Sequence, residues 1–361
     1  MEFNDLRIGY TAWSKDLRNH ADLRRFCYYA EKRNLKFEIA DPSETYDLVF
    51  LNQSADISVW NDYQKGNCKV IFDIVDSYMS VPKWHLKGLF RGLAKFAAGQ
   101  NRYLQWDYRK ALEDTCQRAD AVACSTIEQR ADILPFCPNT HPILDFHFRL
   151  MHMEKSDYSA GETFNFIWEG LPGNLKFVFE ISEVLKELNA KYKIALHLVT
   201  DLKYGKYMGK YWVKSTAPLA KKIFENSYVH EWRGKDFAST VCSFDLALIP
   251  IPLNKRFGLD NSLAIRKPEN KLFLLWRMGV PAVVSATPSY QRVMDQCGLP
   301  MTCRTQDEWF NTLVKYMNDE TLRKEAGQSG KYFLENNYSE DIMLSKWDDL
   351  FSSVLIPKKE S

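Results

Sequence analysis

The chain has 361 residues, 45% of them hydrophobic, more than a single core takes up, so two domains are expected. Its 48 Lys and Arg stand against 46 Asp and Glu, and a formal charge of +2 supplies no global attraction to nucleic acid, so no nucleic-acid partner is expected. The eight cysteines (Cys27, Cys68, Cys116, Cys124, Cys137, Cys242, Cys297, Cys303) form no C-x-x-C pair, and no cleavable signal or long apolar span precedes them. They read as reduced thiols of a cytoplasmic protein, without a disulfide framework or a structural zinc.

In chain order, "LRIGYTAW" (6–13) is a short β-type run, and residues 16–34 place Leu17, Ala21, Leu23, Cys27 and Ala30 at helical spacing. "YDLVFLNQS" (46–54), "KVIFDIVDSY" (69–78) and "ADAVACST" (119–126) read as further buried strands, which gives a parallel sheet and a first domain over 1–150. Periodicity fails in 147–163 while charge, Ser and Gly rise, so 151–163 is expected to be a linker.

A second α/β series fills 164–337. Strands are expected at "FNFIWEG" (164–170), "IALHLVTD" (194–201), "FDLALIPIP" (244–252) and "PAVVSA" (281–286), with helices at 176–192 and 269–279. The fold class is therefore α/β, two doubly wound Rossmann-like domains facing a cleft. Open sheets of this kind bind ligands at the carboxyl ends of their strands.

Several residues point to chemistry at such ends. A helix starting near Lys267–Pro268 would aim free N–H groups at an anion, with Arg266, Asn270 and Lys271 beside it. "EGLPGN" (169–174) follows a strand directly, and Gly170, Gly173 and Asn174, with Lys176 next to them, would allow close backbone approach to phosphate or sugar; a Gly-Pro-Gly turn can equally be only a turn. Asp73 and Asp76 sit at a strand end, either capping the next helix or accepting the proton of an acceptor hydroxyl. His20 is the other candidate base, with a satisfied surface or core histidine as the alternative.

"KWHLKGLFRGLAKF" (83–96) is a basic amphipathic helix: Leu86, Leu89, Phe90, Leu93 and Phe96 at helical spacing, Lys83, Lys87, Arg91 and Lys95 at every fourth residue, and no acid from Ser77 to Trp106. Its apolar stripe either packs on the core, or Lys83, Trp84, Lys87, Phe90, Arg91 and Lys95 meet an anionic membrane surface.

The order of three segments resembles the GT-B glycosyltransferases that use nucleotide-sugars, in particular those of bacterial surface polysaccharides. "NKLFLLWRMGVPAVVS" (270–285) is similar to the helix, glycine-x-proline-valine-valine segment of their donor domain. "ADAVACSTIEQRADI" (119–133) looks like the segment ending their first domain, and "FDLALIPIP" like their aspartate-x-x-leucine-x-proline strand. The resemblance implies sugar transfer from a nucleotide-diphosphate-sugar bound by the second domain to a glycan or lipid-linked glycan bound by the first. Gly9, Tyr10 and Ser125 would then lie on the acceptor side, and "HEWRGKDF" (230–237) with Trp232 would meet the donor base. It also implies a C-terminal segment, 338–361, whose helix crosses back onto the first domain. The E-x7-E carboxylates of retaining members are not matched: those positions hold Leu274 and Arg266. No Asp-x-Asp motif sits on a strand end, so neither a metal nor any other cofactor is expected. The alternatives are a nucleotide-sugar 2-epimerase and a non-catalytic sugar-nucleotide-binding subunit.

Overall fold

The computed structural model describes residues 5–80, 86–206, 212–253 and 262–355. The chain divides into two compact units, 1–146 with 340–361, and 147–339.

The first unit holds a six-stranded parallel sheet: β1 (Ile8–Tyr10), β2 (Glu38–Ile39), β3 (Leu48–Asn52), β4 (Lys69–Ile74), β5 (Ala121–Cys124) and β6 (Thr140–Pro142), in the order β2-β1-β3-β4-β5-β6. The "LVFLN" of β3 is buried at every position, as a parallel strand covered on both faces requires. The helical pattern over 16–34 is broken at Arg25 (φ −131°, ψ −115°), leaving two helices, His20–Leu23 and Phe26–Arg33. The break lets the Arg25 side chain enter the core. The last helix, Glu340–Leu355, belongs to this unit: Trp347 stacks on Tyr29 at 5.6 Å, Phe351 on Phe26 at 6.0 Å, and Asp348 pairs with Arg33 at 2.6 Å.

The second unit carries β7 (Phe164–Glu169), β8 (Ile194–Thr200), an antiparallel pair β9 (Lys203–Lys206) and β10 (Trp212–Ser215), then β11 (Ser227–Glu231), β12 (Leu246–Ile249), β13 (Ala282–Ser285) and β14 (Thr302–Cys303). Its parallel sheet runs β11-β8-β7-β12-β13-β14. Counted within the unit, that is the three-two-one-four-five-six order of dinucleotide-binding sheets, with the topological switch between β7 and β12. The helix expected over 176–192 is a 3-10 stretch, Pro172–Ile181, followed by an α-helix, Ser182–Asn189.

Residues 151–163, expected as a linker, pack on this unit instead. Lys155 is buried and donates to the carbonyls of Cys242 (3.1 Å) and Phe244 (2.8 Å). The Tyr158 hydroxyl donates to Gly279 O at 2.8 Å, and buried Arg323 donates to Tyr158 O at 2.6 Å. Charge and glycine content mimic a linker, but each buried cation has carbonyl partners, so the segment is a structural strap. All eight cysteines are free. Among the described residues no helix is long and apolar enough to cross a membrane.

Candidate functional site

In the second unit, residues converge where the doubly wound topology predicts. The crevice between the carboxyl ends of β7 and β12 is lined by Ile167, Glu169, Ala247, Leu248, Ile249, Lys271 and Leu275. Lys271 lies in the first turn of the helix Asn270–Arg277. Its Nζ donates to Glu169 O at 2.5 Å, lies 3.8 Å from the Glu169 carboxylate and sits 4.9 Å from the Trp168 ring centroid. Gly170 makes this approach possible. At φ +155° it occupies backbone space that other residues avoid, and a Cβ built on it would fall on Lys271 Nζ and 2.9 Å from the Trp168 ring.

Asn174 Oδ1 accepts from Lys267 Nζ at 3.3 Å, which ties the "LPGN" turn to the segment leading into that helix. Gly173 has open space around it and Lys176 is exposed, so neither is held against the crevice. Arg266 and Asn270 are half-buried beside it.

The helix begins at Asn270 rather than near Lys267–Pro268, and its N-cap residue is Glu269. Glu269 is buried, and its carboxylate accepts from Arg292 Nη2 at 2.9 Å. A carboxylate therefore already stands at this positive helix end, where the sequence pattern had left the first-turn N–H groups open to an anion. Leu274 is buried at 5% exposure, part of the core rather than a position that meets a ribose. Two acids that sequence reasoning missed are Glu169, which lines the crevice, and Glu269, the N-cap of the helix that carries Lys271. Glu169 was legible as the first residue of the glycine-containing turn.

A larger cavity of about 320 Å³ opens on the far side of β12, at the ends of β13 and β14, lined among others by Ile251, Leu253, Ser285, Cys303, Arg304 and Trp309. It is of the size that takes a nucleoside-sized group. Trp232 is half-buried, its ring 5.9 Å from Phe237 and its backbone N–H donating to Thr200 O at 3.1 Å, so it packs at the carboxyl end of β11's neighbour β8.

In the first unit the switch lies between β1 and β3. Buried Asp22, not foreseen from sequence, organises the loop there: it accepts from the Tyr10 hydroxyl (2.6 Å) and from the backbone N–H groups of Trp13 (2.9 Å) and Ser14 (3.1 Å). Tyr10 is thus a buried support, and burial first, then neighbouring acidic groups, push its hydroxyl pKa far up. Gly9 faces Tyr46 and Ala40, with 3.0 and 3.1 Å left for a Cβ, a tightly packed position.

The two strand-end aspartates separate. Asp73 is 3% exposed and bidentate to Arg25, 2.6 Å on each oxygen, while Arg25 also reaches Asp145 at 3.1 Å. Burial works against the Arg25 charge, and the two carboxylates outweigh it, holding its pKa above the ordinary value. Asp73 is committed to this pair and the geometry leaves it no substrate to meet. Asp76 is exposed; its Oδ2 accepts from Gln53 Nε2 (2.8 Å) and the Tyr78 hydroxyl (3.0 Å). Ser125 supports it from behind, its hydroxyl on Val75 O at 3.0 Å, and Gln129 Nε2 donates to Ile74 O at 2.8 Å. His20 is exposed on its short helix, and its carbonyl accepts from Arg24 Nε at 3.0 Å.

Lys83 and Trp84 lie outside the described residues, as does the Lys87 side chain. The described part of the helix Leu86–Ala97 reverses the core-packing expectation: Phe90 is 63% exposed and Lys95 only 8%. Among the described residues no group of three or more His, Cys, Asp or Glu is placed to hold a metal.

No protein-family model matches the chain, and no curated protein matches its sequence. Solved structures match its fold. HepE of Anabaena in complex with UDP-glucose is 11% identical with a TM-score of 0.60, over 97% of this chain and 100% of that one. A mutant of S. aureus TarM in complex with fondaparinux, alpha-GlcNAc-glycerol and UDP is 13% identical with a TM-score of 0.57, over 84% of this chain; the chain spans 55% of that protein's length. Sucrose-phosphate synthase of Thermosynechococcus elongatus is 13% identical with a TM-score of 0.57, over 90% of this chain and 75% of that one. These neighbours are GT-B glycosyltransferases. The fold of this chain is therefore GT-B, built from two Rossmann-like α/β units.

Proposed function

We propose that the chain is a glycosyltransferase that moves a sugar from a nucleotide-diphosphate-sugar to a glycan or lipid-linked glycan acceptor, in bacterial capsule or lipopolysaccharide assembly, acting in the cytoplasm at the inner face of the plasma membrane. The observation that carries this reading is Lys271, held at the switch point of a nucleotide-type sheet over a backbone turn that only Gly170 permits. UDP and UDP-glucose in the neighbours' structures support a nucleotide-sugar as donor.

As the C1–O bond breaks, the electron pair leaves with the diphosphate, and Lys271 and Lys267 meet that charge without a metal. Asp76 takes the proton of the acceptor hydroxyl as its oxygen bonds to C1. Glu169, beside Lys271, is the carboxylate available to a donor hydroxyl in place of Leu274.

Thermal shift with UDP, GDP, dTDP, ADP and CMP tests the donor site, since a ligand of the native state raises its apparent stability. A nucleoside diphosphate should raise Tm most, and no shift with any of them removes the donor reading. Transfer to a soluble acceptor analogue, undiminished by EDTA, should follow. The buried Leu274 favours one second reading, a non-catalytic sugar-nucleotide-binding subunit. That protein would show the shift and no turnover.

A further inference from the structure

The helix Leu86–Ala97 is mounted opposite to an ordinary surface helix. Phe90 (63%), Leu93 (48%) and Phe96 (43%) are exposed, whereas Arg91 is half-buried and Lys95 buried. The Arg91 guanidinium lies 3.7 Å from the Tyr78 ring centroid and Lys95 Nζ 5.0 Å from that of Tyr108. Between them Gly92 faces inward, where a Cβ would fall on the Gln105 carbonyl oxygen. In the described turns Arg91 and Lys95 are therefore the adhesive side, clamped onto aromatic faces through a close glycine contact, and Phe90, Leu93 and Phe96 are turned out. Past the helix, Tyr103 (56%) and Trp106 (73%) are exposed as well. Five of the large apolar side chains left open to solvent thus fall within 90–106.

We propose that Phe90, Leu93, Phe96, Tyr103 and Trp106 form a docking surface for an anionic phospholipid bilayer. Charge selects this occupant. Ser77–Trp106 contains Lys83, Lys87, Arg91, Lys95 and Arg102 and no acid, in a chain whose overall charge is almost balanced. A second copy of the chain meeting this face by a two-fold axis would bring Arg102 against the same acid-free stretch, with no carboxylate in it to pair with. A negatively charged lipid surface complements it, and Trp and Tyr beside Leu and Phe are the side chains suited to the boundary between headgroups and acyl chains. The inward turn of Arg91 and Lys95 leaves Arg102 as the described exposed cation of the stretch. Resting on the role proposed for Asp76, the clamp also fixes where the chemistry occurs. Arg91 holds Tyr78, and Tyr78 donates to Asp76 at 3.0 Å, so docking would hold the acceptor-side carboxylate beside the bilayer, where the sugar end of a lipid-linked acceptor emerges.

The test is co-sedimentation of the full chain with vesicles of phosphatidylcholine alone and of phosphatidylcholine with phosphatidylglycerol, without nucleotide or acceptor, so that its failure is separate from failure of the transferase reading. The parent should sediment with the anionic vesicles at low salt and less at high salt. The triple variant Phe90→Gln, Leu93→Gln, Phe96→Gln should partition about 100-fold less while keeping the parent's circular dichroism and melting curve, because three apolar groups are withheld from the bilayer and none from the core. The single variant Leu93→Gln should lose part of the binding, which guards against a folding defect in the triple. A parent that stays in the supernatant with anionic vesicles at low salt overturns the proposal. So does a triple variant that sediments like the parent, or a parent dimer that the triple variant converts to monomer.

Discussion

Replacing Gly170 by Ala perturbs the candidate donor site at one atom. The backbone there has φ +155°, a region in which a side chain costs about 1–3 kcal/mol. The new methyl would also lie 2.9 and 3.0 Å from two carbons of the Trp168 ring and on Lys271 Nζ. Trp168 is 2% exposed and cannot retreat, so the flexible lysine end moves and loses its 2.5 Å bond to Glu169 O. A hydrogen bond made by a charged group contributes about 1.5–3 kcal/mol, so if Lys271 meets diphosphate, losing its placement lowers affinity about 10- to 100-fold. Isothermal calorimetry with the preferred nucleoside diphosphate and with its bare nucleoside reads this directly. Gly170→Ala and Lys271→Ala should each weaken the diphosphate and spare the nucleoside, and the double variant should lose little more than either single, because both act through one ammonium group. Equal weakening of both ligands, or strict additivity in the double variant, would falsify the assignment of Lys271.

Asp73→Asn should lower the stability of the first unit by about 3–5 kcal/mol by leaving Arg25 short of a buried charge partner, as read by a denaturant melt; an unchanged melt would show that the ion pair is not structural. Asp76→Asn should lower turnover on an acceptor while the donor thermal shift stays intact, and full turnover removes Asp76 from the mechanism. His197 and His230 share a hydrogen bond of 2.9 Å, and burial first, then His230, brings the His197 pKa from 6.5 down to about 4. The fold therefore prefers neutral His197: its contribution is complete above 6.5 and is lost as pH falls from there through about 4. Tm should drop across that window, and His197→Gln should flatten the drop.

Strand runs such as "LVFLN" in the first unit and "AVVS" in the second announced two parallel sheets by themselves, because a strand covered on both faces must be apolar at nearly every position, and that requirement is local. Lys271 was legible for the same reason, as a cation in the first turn of a helix after a strand. The partners of the remaining site residues were not, because contacts across 48 residues, as between Arg25 and Asp73, leave no periodic trace. Asp73 and Asp76 look alike on the page; only the arrival of Arg25 makes one a core ion and leaves the other at the surface. The linker over 151–163 failed similarly, since composition records that Lys155 is charged and not that two carbonyls await it. The amphipathic helix shows the limit most sharply. Spacing alone determines which of its residues share a face, but which face meets the protein depends on Tyr78, Tyr108 and the Gln105 carbonyl, and on Gly92 being small enough to let them close in.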